Sequence, residues 1–218
     1  MPSIYDCSVE AELLTGMRLA RLAIGRGDLV VVPTDTVYGV AADAFNPEAV
    51  LKLMESKGRT RAAPPPVLIP GIPTLDALAE SVPDEVRELV KMYWPGALTI
   101  ILPAMSSLTW DLGETRGTVA LRMPSNRIVL ELLSETGPLA VSSANRTGEP
   151  PATTTVEAEV MLGDSVSVYL NDGIGGTVAS TIVDATGLLA PEGRLRIVRE
   201  GAISSDEIRD LVGAAKCE

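Results

Sequence analysis

Three short clusters carry the side chains of this sequence that could do chemistry. Lys57 and Arg59 stand two residues apart, with Arg61 close behind. Thr34, Thr36 and Tyr38 surround Asp35 in the run Pro-Thr-Asp-Thr-Val-Tyr-Gly over 33–39. Ser142, Ser143 and Asn145 follow an apolar stretch. A guanidinium offers parallel N–H groups and an ammonium adds a compact charge, a combination suited to phosphate or carboxylate. Hydroxyls, a phenol and an amide supply the short hydrogen bonds that orient such an anion. Thr118 and Arg122, four apart on an expected strand, point to one face. The pattern reads as an anion-binding site. Each cluster also has a plain structural explanation. Cations at a helix end answer the macrodipole, Ser and Asn cap turns, Asp35 can bond local backbone, Tyr38 can pack its ring, and Arg122 can form a surface ion pair.

The sequence contains no histidine. That excludes Ser-His-Asp and Cys-His activation, histidine zinc ligation and an imidazole base, so neither serine is expected as a nucleophile. An enzyme made from these residues works by positioning, by fixed positive charge, by a metal held through oxygens, or by an Asp, Glu or Lys acid–base. Cys7 and Cys217, one near each end, have neither disulfide-framework nor metal-ligand spacing. A net charge of −11 opposes a broad basic face for nucleic acid. The cations that matter therefore belong in a cleft, and Lys57 and Arg59 are expected there as exposed residues. The glycine-rich run 172–176 lacks the Gly-Lys-Ser/Thr ending of a phosphate loop. It is expected to let Ser180 and Thr181 approach a ligand closely.

These clusters need a rigid frame. At 218 residues and 46% hydrophobic, the chain suffices for one compact domain over 1–218. No apolar run approaches the ~18 residues that span a bilayer, and the early residues are acidic where a signal peptide is basic. A cytoplasmic protein without a membrane anchor is expected. Helical spacing of Leu13, Met17, Ala20 and Ile24 precedes a buried strand over 29–32. Asn46-Pro47 starts a helix ending near Ser56, which delivers Lys57 and Arg59 to its C-terminus. A proline-rich loop over 60–66 leads to a strand over 67–69. Further strands are expected at 98–102, 118–122, 139–142, 166–170, 180–183 and 195–198, with helices from 83, over 127–135 and from Ser204. The alternation is α/β, and the run of late strands makes the sheet mixed.

With these residues in place the chain resembles the YrdC/TsaC family of L-threonylcarbamoyladenylate synthases over about 13–203. The carriers are 33–39, Lys57-Gly58-Arg59 as Lys-x-Arg, Ser143-Ala144-Asn145 as Ser-x-Asn, Ser180-Thr181-Ile182-Val183-Asp184, and Arg199-Glu200-Gly201. The resemblance implies a twisted mixed sheet flanked by helices around a large concave cleft. It implies that L-threonine, bicarbonate or CO2, and ATP give threonylcarbamoyl-AMP and pyrophosphate. Partner proteins then use that product for the threonylcarbamoyl modification of tRNA at position 37, with at most weak tRNA binding by this chain.

By resemblance Lys57 and Arg59 engage the ATP phosphates as the catalytic pair. Ser143, Asn145, Thr118 and Arg199 contact the nucleotide, while Thr34, Thr36, Tyr38, Arg122, Ser142 and Thr181 cradle threonine. Mg2+ bridges the phosphates, and the sequence names no metal ligand of its own. Some family members carry Asn and His where this chain has Ala63 and Leu68. The chain resembles the short form without an additional C-terminal domain. Two other readings are a carbamoyl-adenylate chemistry with another acceptor, as in hydrogenase maturation, and a non-enzymatic RNA-binding or ribosome-associated module.

Overall fold

The computed structural model describes residues 3–218. Ten strands form one sheet: β1 (Ser3–Asp6), β2 (Leu29–Val32), β3 (Gly39–Asp43), β4 (Val67–Leu68), β5 (Leu98–Pro103), β6 (Thr118–Arg122), β7 (Leu139–Ser143), β8 (Val166–Asn171), β9 (Thr181–Asp184) and β10 (Arg196–Arg199). Their order is β1-β8-β2-β3-β7-β4-β6-β5-β9-β10. The pairs β1–β8, β8–β2, β4–β6 and β5–β9 are parallel. The remaining neighbours are antiparallel, so the sheet is mixed, as the strand succession implied.

Seven α-helices cover this sheet: α1 (Glu10–Gly25), α2 (Pro47–Ser56), α3 (Ile72–Leu78), α4 (Asp84–Tyr93), α5 (Arg127–Thr136), α6 (Thr155–Leu162) and α7 (Ser205–Val212). Apolar residues of α1 and α5 pack with Val32, Ala41 and Val141 in one cluster. Those of α2 and α6 pack with Val31, Val40 and Ala42 in another. Val40 and Ala42 thus face away from Ala41, as the period of two in a strand requires. A third cluster joins α3, α4 and α7 to β4, β5, β6 and β9.

Helix α2 shows how the frame delivers a functional residue. Asn46 caps it by accepting from Glu48 N and Ala49 N at 3.1 and 3.2 Å, with proline in the first turn. Leu53 and Met54 are fully buried and anchor its last turn, each contributing about 1.5–3 kcal/mol of transfer free energy. The chain therefore leaves the helix at one fixed point, with Lys57 and Arg59 next in line.

Four elements were not legible in advance: β1, β3, α3 and α6. β3 is alanine-rich, and alanine is a poor strand signal. In α6 the apolar residues are not on one face, since Val156 and Val160 are exposed while Ala158 and Leu162 are buried. No helical period marks it.

Candidate active site

The turn between β2 and β3 is held by its own threonines. Thr34 Oγ1 donates to Val37 O at 2.6 Å and accepts from Thr36 N at 3.2 Å. Thr36 Oγ1 in turn accepts from Arg122 Nη1 at 2.9 Å. Arg122 ends β6, and its Nε donates to Gly96 O at 2.9 Å. Its Nη2 stands 2.8 Å from Asp35 Oδ1, but too poorly aligned for a hydrogen bond, so this buried nitrogen keeps an N–H without an acceptor. Asp35 Oδ1 accepts from Ser125 N at 3.0 Å instead.

A cavity of about 260 Å³ opens beside this turn and brings together Thr34, Thr36, Arg59, Thr99, Arg122, Ser142, Ser143, Ser180 and Arg199. Three arginines converge there, and no aspartate or glutamate lines the cavity. Arg59 Nη1 donates to Ser142 Oγ at 3.2 Å. Arg199 donates from Nε and Nη2 to Ser180 O at 3.2 and 2.7 Å. Burial, and then the charges of Arg122 and Arg59, hold the Arg199 pKa below its ordinary value. Arg122 is lowered by burial, with Asp35 opposing. Such mutual repulsion is relieved when an anion enters. A second, apolar lobe of about 160 Å³ adjoins the first through Pro64, Pro66 and Ile182, and is closed by Ile101, Leu112 and Ala120. One lobe suits anionic groups and the other a flat apolar body.

Several expected site residues lie elsewhere. Lys57 is buried, not exposed: its Nζ donates to Ser143 O, Asn145 O and, at 3.4 Å, Asn145 Oδ1. Its three N–H groups are spent on protein oxygens, and it acts as a brace for the 143–145 turn. Burial, and then Arg59, lowers its pKa to about 8. Asn145 lies outside the cavity lining, its Nδ2 donating to Arg146 O and Glu149 O at 2.9 and 2.6 Å. Tyr38 is buried behind the turn, where its hydroxyl donates to Gly173 O at 2.7 Å and accepts from Asp172 N at 3.0 Å. Thr181 is wholly buried. Its Oγ1 donates to Ile203 O and accepts from Gly201 N and Ile203 N at 2.9 and 3.0 Å. Thr118, by contrast, does line the cleft, in its apolar lobe, and donates to Thr115 O at 2.8 Å. In the glycine-rich run, a Cβ at Gly176 would collide with Thr36 O. That glycine serves close packing on the threonine turn, where close approach to a ligand was expected.

Thr99 and the apolar lining were not singled out from sequence, and Asp35, read there as bonding local backbone, instead accepts from Ser125 N and pairs with Arg122. A lone threonine inside Leu-Thr-Ile-Ile-Leu on a central strand was the available signal for Thr99. No local pattern pairs Asp35 with Arg122, which is 87 positions away by numbering.

The Sua5_yciO_yrdC family profile, described as telomere recombination, matches residues 22–201. A Mycobacterium tuberculosis (strain H37Rv) relative is 45% identical over 214 residues, covering 98% of this chain and 96% of its own length. The Bacillus subtilis threonylcarbamoyl-AMP synthase is 34% identical over 196 residues, covering 89% of this chain and 56% of that protein. Among solved structures, Pyrococcus abyssi Sua5 complexed with L-threonine superposes with a TM-score of 0.87 at 30% identity, covering all of this chain and 62% of that one. Escherichia coli YciO, at 21% identity and a TM-score of 0.82 over 95% of this chain and 100% of its own, shares the fold.

Proposed function

The chain belongs to the Sua5/YciO/YrdC family, and we propose that its cleft makes threonylcarbamoyl-AMP from L-threonine, bicarbonate and ATP, releasing pyrophosphate. It is an enzyme of the transferase class, like the relatives named threonylcarbamoyl-AMP synthase. The observation that carries the reading is the convergence of Arg59, Arg122 and Arg199 in a cavity without a carboxylate, in a chain of net charge −11. Those cations answer a substrate set rich in anionic groups.

The division of labour follows from the two lobes. Arg122, pinned by Thr36 and Gly96 and paired with Asp35, lines the cavity and suits the threonine carboxylate, and Thr34 lines it too. Arg59 with Ser142 and Ser143 suits the α-phosphate and the departing pyrophosphate. Adenine suits the apolar lobe between Pro64, Pro66 and Ile182, with Thr118 at its wall. Lys57 and Asn145 act through the turn they hold, and Tyr38 and Thr181 through the backbone they tie.

The reaction asks for little from a protein nucleophile. A carbamate oxygen on the threonine nitrogen attacks the α-phosphorus, the bond to the bridging oxygen breaks, and pyrophosphate leaves. Alignment and fixed positive charge lower that barrier, which accords with a chain lacking histidine. Among the described residues no cluster of three or more acidic, cysteine or histidine side chains is set to hold a metal. In this reading magnesium arrives with the ATP phosphates. Among the described residues no helix is long and apolar enough to cross a membrane, and we place the reaction in the cytoplasm, with the product passed to proteins that modify tRNA.

Pyrophosphate release from ATP and magnesium tests the reading. Release is expected to require both L-threonine and bicarbonate, and to fall with L-serine. Release that ignores both would overturn it.

A further inference from the structure

The apolar lobe is a seam between two loops laid over the sheet. Pro64, Pro65 and Pro66 come from the 60–66 loop, and Leu112 and Thr115 from the stretch between β5 and β6. Strands β5, β6 and β9 supply the floor with Ile101, Ala120 and Ile182. Arg61 joins the two loops. Its Nη2 donates to Asp111 Oδ1 and Oδ2 at 2.7 and 2.9 Å, and its carbonyl oxygen accepts from Glu114 N at 2.8 Å. Asp111 Oδ1 also accepts from Gly113 N at 3.0 Å, which fixes the carboxylate. The fit is close. Gly113 has a φ of +100°, and a Cβ there would lie 2.7 Å from Arg61 O, so glycine is what lets the loops meet.

The two sides of the seam are unequally anchored. The loop that carries Asp111 is held by Leu112, buried in the core, and by Trp110, whose ring stacks on Phe45 with centroids 5.4 Å apart. Among the described residues, Arg61 is the one member of the 60–66 loop whose side chain makes a hydrogen bond. The next tie of that loop to the frame is Val141 N on Pro66 O at 2.9 Å. Ala63 has no polar side chain to add another. The three prolines between these ties have fixed φ and move as a stiff segment. A shift at Arg61 therefore carries to Pro64 and Pro66, which also wall the arginine lobe. Arg61 itself lines neither lobe. Its guanidinium is turned to Asp111, so it acts on the cleft through the proline wall.

We propose that Arg61 and Asp111 are positioning residues for the nucleotide: their pair closes the seam and sets the width of the lobe that takes adenine. The two side chains are 51% and 42% exposed. Such a pair adds little to global stability, and its effect is local, on the one loop that it ties.

This inference rests on the placement of adenine in the proposed synthase reading, so the test separates the two. Calorimetry with ATP and magnesium, and separately with L-threonine, is run on the unaltered protein, Arg61→Ala, Asp111→Asn, Asp111→Glu and the double variant Arg61→Ala/Asp111→Asn. Hydrogen exchange at the Glu114 amide reads the seam without any ligand, and thermal unfolding checks that each variant folds. Arg61→Ala and Asp111→Asn are each expected to speed that exchange and to raise the Kd for ATP about three- to fivefold, with the Kd for threonine within twofold. The double variant is expected to bind ATP no more weakly than either single one, because both substitutions remove the same contact. Asp111→Glu keeps the charge and is expected to hold the ATP Kd within twofold. If Arg61 bound phosphate directly, Asp111→Asn would free it and tighten ATP binding. That result, additive losses in the double variant, or an unchanged ATP Kd in folded Arg61→Ala overturns the inference. Glu114 exchange that does not speed overturns it too. Pyrophosphate release by the unaltered protein that ignores L-threonine and bicarbonate overturns the synthase reading, whatever the variants do to ATP binding.

Discussion

Arg122 Nη2 stands 2.8 Å from Asp35 Oδ1, with the two side chains only 7% and 15% exposed. The pair joins the end of β6 to the turn after β2. Removing one member of a buried pair leaves the other charge uncompensated, at a cost of about 3–5 kcal/mol. Asp35→Ala is therefore expected to lose stability on that scale in urea unfolding. Asp35→Asn keeps an oxygen for Ser125 N and is expected to lose less, while raising the KM for threonine more than that for ATP. A loss below about 1 kcal/mol in Asp35→Ala would make the contact an ordinary surface pair.

Lys57 carries a pH signature. Its pKa in the folded chain, about 8, lies below the unfolded value near 10.5. Folding therefore disfavours the ammonium, and the penalty is fully present below pH 8. As pH rises from 8 toward 10.5 the unfolded chain holds more protons than the folded one, so this group's contribution to stability rises. The stability of the unaltered protein relative to Lys57→Met is expected to increase between pH 7 and pH 10, on the order of 2 kcal/mol. Taking the difference removes the other titrating groups. A flat difference would mean that Lys57 is not desolvated.

Arg59 is expected to behave oppositely to Lys57 in mutagenesis. Its recorded side-chain hydrogen bond goes to another polar side chain, Ser142, on the cavity wall. Arg59→Gln should cut pyrophosphate release by about a hundredfold or more, with little change in unfolding midpoint. Lys57→Ala strands the carbonyls of Ser143 and Asn145 and should lose both stability and turnover. Equal destabilisation by the two substitutions would put Arg59 in the frame and take it out of the chemistry.

Thr181 ties β9 to the chain at 201–203. Thr181→Val strands two backbone N–H groups at Gly201 and Ile203, each worth about 1–3 kcal/mol when buried and unpaired. The unfolding midpoint should fall, and KM values for all substrates should rise together because Arg199 lies two residues before Gly201. A rise confined to threonine would restore Thr181 as a threonine contact.

What sequence made legible was set by local periodicity and capping. Asn46-Pro47 and the apolar face of α2 located Lys57 and Arg59, and the runs at 98–102 and 118–122 located the central strands. Direction and depth were not legible. That Lys57 turns inward to three oxygens, or that Thr181 faces the 201–203 backbone, depends on partners 86 and 22 positions away. Thr99 and Ser180 meet only because β5 pairs with β9 in register Leu98 to Thr181. Such cross-strand meetings leave no trace in spacing.

The apolar lobe provides the last prediction. Ala120 pairs with Ile101 across β6 and β5, and both line the lobe with Leu112, Pro65 and Ile182. Its methyl adds little bulk to that wall. A phenylalanine there fills the lobe, and a filled pocket excludes a flat ligand while leaving the arginine lobe open. Ala120→Phe is expected to raise the KM for ATP at least about tenfold. Threonine binding, measured by calorimetry without nucleotide, is expected to stay within twofold. Ala120→Ser, which adds little volume, should leave the KM for ATP near its original value. If Ala120→Phe weakens threonine as much as ATP, the two lobes are one site, and adenine must be sought elsewhere in the cleft.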